Sequence, residues 1–156
     1  MDAKNSARLY VIAQFVLLAD LIVAPAATDC WGNLHDTFAV IGLVLFTLGL
    51  LLVFGSGIGL GKSLTAIPLP KDAGQLVVTG FYKWLRHPIY AGLISLGLGV
   101  VLVNGYWPQA VIWFVLALVL ARKSRFEEHF LLQKYPEYSA YQQKTGGFLP
   151  KLFIRK

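Results

Sequence analysis

Apolar residues in this chain come in blocks, and the charged residues fall almost entirely between them. Four blocks stand out: Leu9–Ala27, Thr37–Leu60, Ile89–Val103 and Trp107–Ala121. A helix rises 1.5 Å per residue, so about 20 residues cross a hydrocarbon core of about 30 Å. The first two blocks meet that length. The last two are short by it, and the third could begin earlier, near Tyr82. The pattern predicts an all-α, polytopic membrane bundle of about four transmembrane helices, with further helices in a cytosolic C-terminal tail. Residues 1–156 make one domain.

Small residues mark the second and third blocks: Gly42, Gly49, Gly55, Gly57, Gly59 and Gly61, then Gly92, Ser95, Gly97 and Gly99. In lipid, small side chains let helices approach closely, so these two helices are expected to pack tightly. Between the blocks lie a connection at 61–87 and a tail at 122–156. In the connection, Ile67–Pro68–Leu69–Pro70 favours extended backbone and Ala73–Gly74 reads as a turn. Gln75–Thr79 fits a short strand or a loop on the membrane surface. In the tail, Arg122–Lys134 reads as a helix with Phe126, Phe130 and Leu131 on one face. Tyr135–Pro136 ends it, Glu137–Lys144 can form another turn or two, and Gly146–Gly147 stops that.

Composition agrees: 56% of residues are hydrophobic and 14% charged, against about 25% charged in soluble domains. The first block, with Lys4 and Arg8 before it, could suggest a secretory signal. At about 19 residues it exceeds the 7–15 of a signal core, so it reads as an uncleaved first span. The net charge of +6 suits topology and anionic headgroups rather than nucleic acid. All 14 Lys and Arg residues lie in the N-terminal tip, in 61–87 or after the fourth block. By the positive-inside rule, both termini and the long connection are cytoplasmic, and the two short turns face out with Trp31, Tyr106 and Trp107 at the boundary. A single cysteine, Cys30, excludes an internal disulfide and a cysteine metal cluster. His35 and His129 have no metal-ligand spacing, so no metal is expected. Asp20 sits inside the first block, where a charge is costly; protonation or a bond to a neighbour such as Gln14 would relieve it.

Two polar clusters could carry chemistry. Arg86–His87–Pro88–Ile89–Tyr90 stands at the mouth of the third helix, where Pro88 suits a first turn. The free N–H groups there, with Arg86 and His87, favour a carboxylate or phosphate; lipid snorkelling by Arg86 is the plainer alternative. Glu127–Glu128 lies one to two turns beyond the fourth block, beside Arg122, Lys123 and Arg125. An acid facing a basic mouth suits a zwitterionic ligand.

The run Gly80–x–Tyr82–x–x–x–Arg86–His87–Pro88–x–Tyr90–x–Gly92 resembles the signature of the isoprenylcysteine carboxyl methyltransferase and phospholipid methyltransferase superfamily. Glu127–Glu128–x–x–Leu131, Tyr138–x–x–Tyr141 and Phe148–Leu149–Pro150 resemble its downstream elements in order and spacing. The resemblance covers Gly61 to Pro150. It implies an integral-membrane methyltransferase using S-adenosylmethionine, with the cofactor held on the cytosolic side and a lipophilic or lipid-modified acceptor arriving from the bilayer. By position, it implies that His87, Tyr90, Glu127 and Glu128 hold the cofactor, with Arg86, Pro88 and Gly92 shaping the pocket. Carboxyl methyltransferases of the family place a substrate-orienting arginine just before the paired acids; here Arg122 and Arg125 bracket that place, with Lys123 between. The rival readings are a steroid-reductase-like enzyme using a reduced nicotinamide dinucleotide, and a non-enzymatic membrane scaffold.

Overall fold

A computed structural model describes residues 2–24, 28–71 and 73–151. Its helices are α1 (Ala3–Val23), α2 (His35–Leu60), α3 (Pro88–Asn104), α4 (Trp107–Lys134) and α5 (Tyr138–Lys144), with short 3-10 turns at Thr28–Leu34, Gly61–Ser63 and Gly80–Lys83. No strand occurs among the described residues. Gln75–Thr79 is an irregular segment, and one parallel bridge pairs Leu85 with Gly146. The end of the first predicted span, 25–27, and the Cys30 side chain lie outside the described residues.

Prolines in the first turns open α3 and α4, where the missing N–H would have no helical partner. The third helix therefore starts at Pro88 and not near Tyr82, because the Gly80–Lys83 turn is separate from it. Gly105 takes φ +61°, a left-handed conformation that glycine adopts without strain, and so reverses the chain between α3 and α4. The fourth apolar block and the expected cytosolic helix prove to be one rod of 28 residues.

α3 is the hub of the bundle, touching α1, α2 and α4, while α1 also packs on α4. The α2–α3 contact is made by glycines seven residues apart. A Cβ on Gly49 would sit 2.7 Å from the Gly92 carbonyl, and one on Gly42 would sit 2.7 Å from the Gly99 carbonyl. The two backbones touch directly there, as small residues permit in lipid. Ser95 Oγ adds a bond to the Leu45 carbonyl at 2.8 Å. On the other side, Leu21, Val101, Leu116 and Leu120 form a buried apolar cluster. Polar side chains stitch this half: Trp113 donates to the Ile94 carbonyl at 2.8 Å and Gln109 to the Leu21 carbonyl at 3.0 Å.

Two helical stretches, Ala3–Val23 and Trp31–Ser63, are long and apolar enough to cross a membrane, and α3 is a shorter apolar helix of 17 residues. Their outward faces are lined with exposed Leu, Ile, Val and Phe, including Leu9, Ile12, Phe15, Leu51 and Phe54. Such a surface suits lipid rather than water. Asp20 is exposed near the far end of α1, and Gln14 bonds to Lys123 instead of to Asp20.

Candidate active site

The connection at 61–87, the start of α3, the end of α4 and α5 converge on one corner of the bundle. Arg86 is its latch. Its Nε donates to Glu128 Oε1 at 2.7 Å, and its Nη1 donates to the carbonyls of Gln142, at 3.2 Å, and Thr145. The Arg86 and His87 backbone amides reach the Gly146 and Gly147 carbonyls at 2.7 and 3.2 Å. A side chain on Gly146 would collide with the Leu149 carbonyl, so the turn that ends the tail needs glycine there. The segment after α5 is thus folded back onto the mouth of α3.

Glu128 is the second half of the latch. Besides Arg86, it meets His87 Nε2 at 2.9 Å through Oε1 and accepts from Gln142 Nε2 at 2.9 Å through Oε2. Burial alone would raise its pKa, yet the hydrogen bonds from His87 and Arg86 outweigh burial and hold it down at about 2, as expected for a carboxylate bonded in its charged form. The sequence suggested an anion-binding mouth facing an acid across a ligand. In the folded chain that acid reaches the mouth itself, so Arg86 already has its counter-charge and His87 a hydrogen-bonding partner.

Glu127 points elsewhere. It accepts from the Tyr90 hydroxyl at 2.8 Å and lies 3.8 Å from His87 Nδ1, with no Lys or Arg within ion-pair distance among the described residues. The His87 and Tyr90 rings stack with centroids 5.4 Å apart, and the Phe148 ring lies tilted to His87 at 6.0 Å. One turn before Glu127, Lys123 is fully buried; it donates to Gln14 of α1 at 2.6 Å and lies 5.1 Å from the Tyr90 ring. Burial pushes its ammonium down to about 8 despite the opposing pull of Glu127.

These groups face a cavity of about 410 Å³, within the range of about 300–1,000 Å³ usual for small-molecule sites. Gln14, Arg86, His87, Tyr90, Lys123 and Glu127 line it, with Ser63–Ala66, Leu69–Lys71 and Gly74–Val77 as the opposite wall. Tyr82, Tyr135, Tyr138 and Tyr141 add aromatic faces. Tyr135 and Tyr141 spend their hydroxyls on the Gly74 and Tyr82 carbonyls, at 2.7 and 2.6 Å. Tyr138 is 1% exposed, and its hydroxyl has no hydrogen-bond partner among the described residues. Burial, then the Glu128 charge, raises the Tyr138 hydroxyl far above its ordinary range, so it remains a neutral donor.

Of the residues singled out from sequence, Arg86, His87, Tyr90 and Glu127 line the cavity, and Glu128 braces two of them. Pro88 is fully buried at the start of α3. Gly92 is packed against the Gly49 carbonyl and is not part of the lining. Arg122 and Arg125 are exposed on α4 and outside the lining, while Lys123 between them turns inward. Lys123 and Gln14 went unnoticed as site residues. Lys123 stands four residues before Glu127, on the same helix face, and that spacing was the available signal. Gln14 gave none, being a lone amide in an apolar block.

Comparison with known families agrees with this geometry. The profile of the phospholipid methyltransferase family matches residues 37–138, which include the glycine seam, the Arg86–His87–Pro88 mouth and the paired acids. The chain belongs to that family. It is also similar to a probable protein-S-isoprenylcysteine O-methyltransferase of Oryza sativa subsp. indica, 30% identical over 152 residues, covering 90% of this chain and 75% of the relative. The nickel-cobalt-cadmium resistance protein NccN of Alcaligenes xylosoxydans xylosoxydans is 28% identical over 92% of this chain, which spans 63% of that protein. Among solved structures, the eukaryotic intramembrane Ras methyltransferase ICMT superposes with a TM-score of 0.64 at 19% identity, covering 97% of this chain and 54% of the other. The fold is therefore that of an integral-membrane family, and this chain is about half the length of the solved member. No group of three or more His, Cys, Asp or Glu able to hold a metal occurs among the described residues.

Proposed function

We propose that this chain is a membrane methyltransferase that uses S-adenosylmethionine and delivers the methyl group to a lipophilic acceptor. The observation that carries the reading is the cavity: Glu127 and the Tyr138 ring line it while Arg86 and Glu128 lock its rim. Glu127, with no Lys or Arg within ion-pair distance among the described residues, suits the cofactor's ammonium. Tyr82, Tyr90 and Tyr141 offer ring faces to adenine or to the sulfonium cation.

The cofactor would supply an activated methyl group, and the residues around it need only bind, orient and exclude water. Positioning of this kind can carry an in-line displacement without a covalent enzyme intermediate. Lys123, bonded to Gln14 and lining the cavity, would meet the acceptor on the bundle side. A carboxylate, amine or thiol acceptor is consistent with it. A reduced nicotinamide dinucleotide would ask for more converging cations, and Arg86 is already committed to Glu128.

α1, α2, α3 and the apolar part of α4 would each cross the bilayer, placing both termini and the cavity at the cytoplasmic face. The 17 residues of α3 rise about 25 Å, so the bilayer would thin slightly around the hub helix.

Titration of the solubilised protein with S-adenosylhomocysteine tests this reading. Binding is expected for the wild type, with at least a tenfold loss in Glu127→Gln and a smaller loss in Tyr138→Phe. Absence of binding by the wild type would sink it, and binding unchanged in both variants would remove the site assignment. Lipid extracts incubated with labelled cofactor would then identify the acceptor.

A further inference from the structure

Beside the main cavity lies a second hollow of about 270 Å³, lined by Lys4, Arg8, Thr65, Ile67, Leu69 and Lys71. Among the described residues, half of that lining is cationic and none of it acidic. Lys4 and Arg8 stand one turn apart on α1 and are exposed, and Lys71 is held in place by a bond from its ammonium to the Lys62 carbonyl at 3.0 Å. Asp2, just before α1, is exposed and outside the lining, and Asp72, next to Lys71 in sequence, lies outside the described residues. The floor is ordered locally: the Ile67 amide donates to Thr65 Oγ1 at 3.2 Å and the Leu69 amide to the Ile67 carbonyl at 2.8 Å.

Two features say what would fill it. Immediately along α1 from Arg8, Leu9, Ile12, Phe15 and Val16 are exposed at 53–59%, a strip that continues from the hollow into the membrane-facing surface. A ligand with an anionic head and an apolar tail matches both parts, as basic residues at a membrane boundary attract anionic lipid. Thr65, Leu69 and Lys71 also line the main cavity, so the two spaces share one wall.

We propose that Lys4, Arg8 and Lys71 bind the phosphate of an anionic lipid, and that this lipid braces the 64–71 wall and thereby tightens cofactor binding in the adjoining cavity. The second half rests on the methyltransferase reading; the lipid site itself does not. The ligand is a bracing lipid, distinct from the methyl acceptor.

The test uses the full chain in phosphatidylcholine bilayers. Electron spin resonance with spin-labelled phosphatidylglycerol should show preferential association over labelled phosphatidylcholine, lost in the Lys4→Gln/Arg8→Gln double variant. No preference in the wild type, or a preference unchanged in the variant, overturns the site. S-adenosylhomocysteine affinity is then compared with and without phosphatidylglycerol. A rise of at least about fivefold, the low end of coupling between two sites, is expected in the wild type and not in the variant. A rise reproduced by millimolar inorganic phosphate without the lipid would overturn lipid as the source. Lipid preference without any affinity for S-adenosylhomocysteine would keep the site and discard both the bracing and the methyltransferase reading.

Discussion

The α2–α3 seam and the α3–α4–α5 corner are built by opposite means. At the seam, side chains are missing: Gly42 and Gly49 face Gly99 and Gly92, and the backbones meet where a single methyl would not fit. At the corner, side chains do the joining, with Arg86, His87 and Gln142 all converging on Glu128. The seam holds together through close dispersion contacts that fade steeply with separation. The corner holds together through charge-assisted hydrogen bonds that need each partner present. The contrast places rigidity in the bundle and chemistry at its end. The cavity borders the latch, whereas at the seam the Ser95 hydroxyl is spent on the Leu45 carbonyl.

Removing one partner from the corner gives the largest expected effect. Glu128→Ala leaves the Arg86 guanidinium, 13% exposed, without its carboxylate, and breaking a buried pair this way costs about 3–5 kcal/mol. Thermal unfolding in detergent should register the drop, and S-adenosylhomocysteine binding should fall with it. A loss below about 1 kcal/mol would mean that the latch is a surface ion pair. Overfilling the seam comes next. Gly49→Leu puts carbon within 2.6–2.7 Å of the Leu96 and Gly92 backbone and should cost about 1–3 kcal/mol or more, visible as lowered thermal stability or aggregation on size-exclusion chromatography.

Acid separates the two regions without mutation of the seam. Glu128 is held at about 2 in the folded chain against an ordinary value of 4.5. A depressed acid stabilises the fold above its ordinary value, and that contribution is lost as pH falls from about 4.5 toward 2. Unfolding midpoints measured across this window should drop in the wild type and flatten in Glu128→Gln, while a seam variant keeps the wild-type acid slope. Smaller again is Tyr141→Phe, which removes the hydrogen bond to the Tyr82 carbonyl and should cost about 1 kcal/mol. Gly57→Ala should be smallest. Nothing lies within 4 Å of a Cβ there, so the change should be neutral or stabilise the helix by under about 1 kcal/mol. A large loss at Gly57 would show that glycine in α2 matters for more than the seam.

The helices were legible because their causes are local. Block length and Pro88 in the first turn of α3 are written along the chain, and the glycine-rich blocks point to a tight α2–α3 pair. Both polar clusters were visible too, since charges are scarce in so apolar a sequence and Glu127–Glu128 stands out for that reason. Periodicity could not tell which member of each cluster does what. Adjacent residues on a helix point about 100° apart, so Glu128 turns to Arg86 while Glu127 turns to Tyr90 and the cavity. The same rotation sends Lys123 inward and leaves Arg122 and Arg125 outside. Sequence had put weight on those two arginines because a family pattern places a cation nearby, and no local rule fixes the phase of a helix.

By itself, then, the sequence determined which stretches are helices, which two of them lie closest, and where on the chain polar chemistry is concentrated. Tertiary structure decided the pairing of charges, the inward turn of Lys123 onto Gln14 and the commitment of Arg86 to Glu128. It also gave Gly92 to the seam rather than to the cavity. The physical reason is range. Helix formation and small-residue packing follow from neighbours a turn or two away, whereas Arg86 and Glu128 are 42 residues apart, and Lys123 and Gln14 are 109 apart. Only the folded bundle sets which of them come within hydrogen-bonding distance.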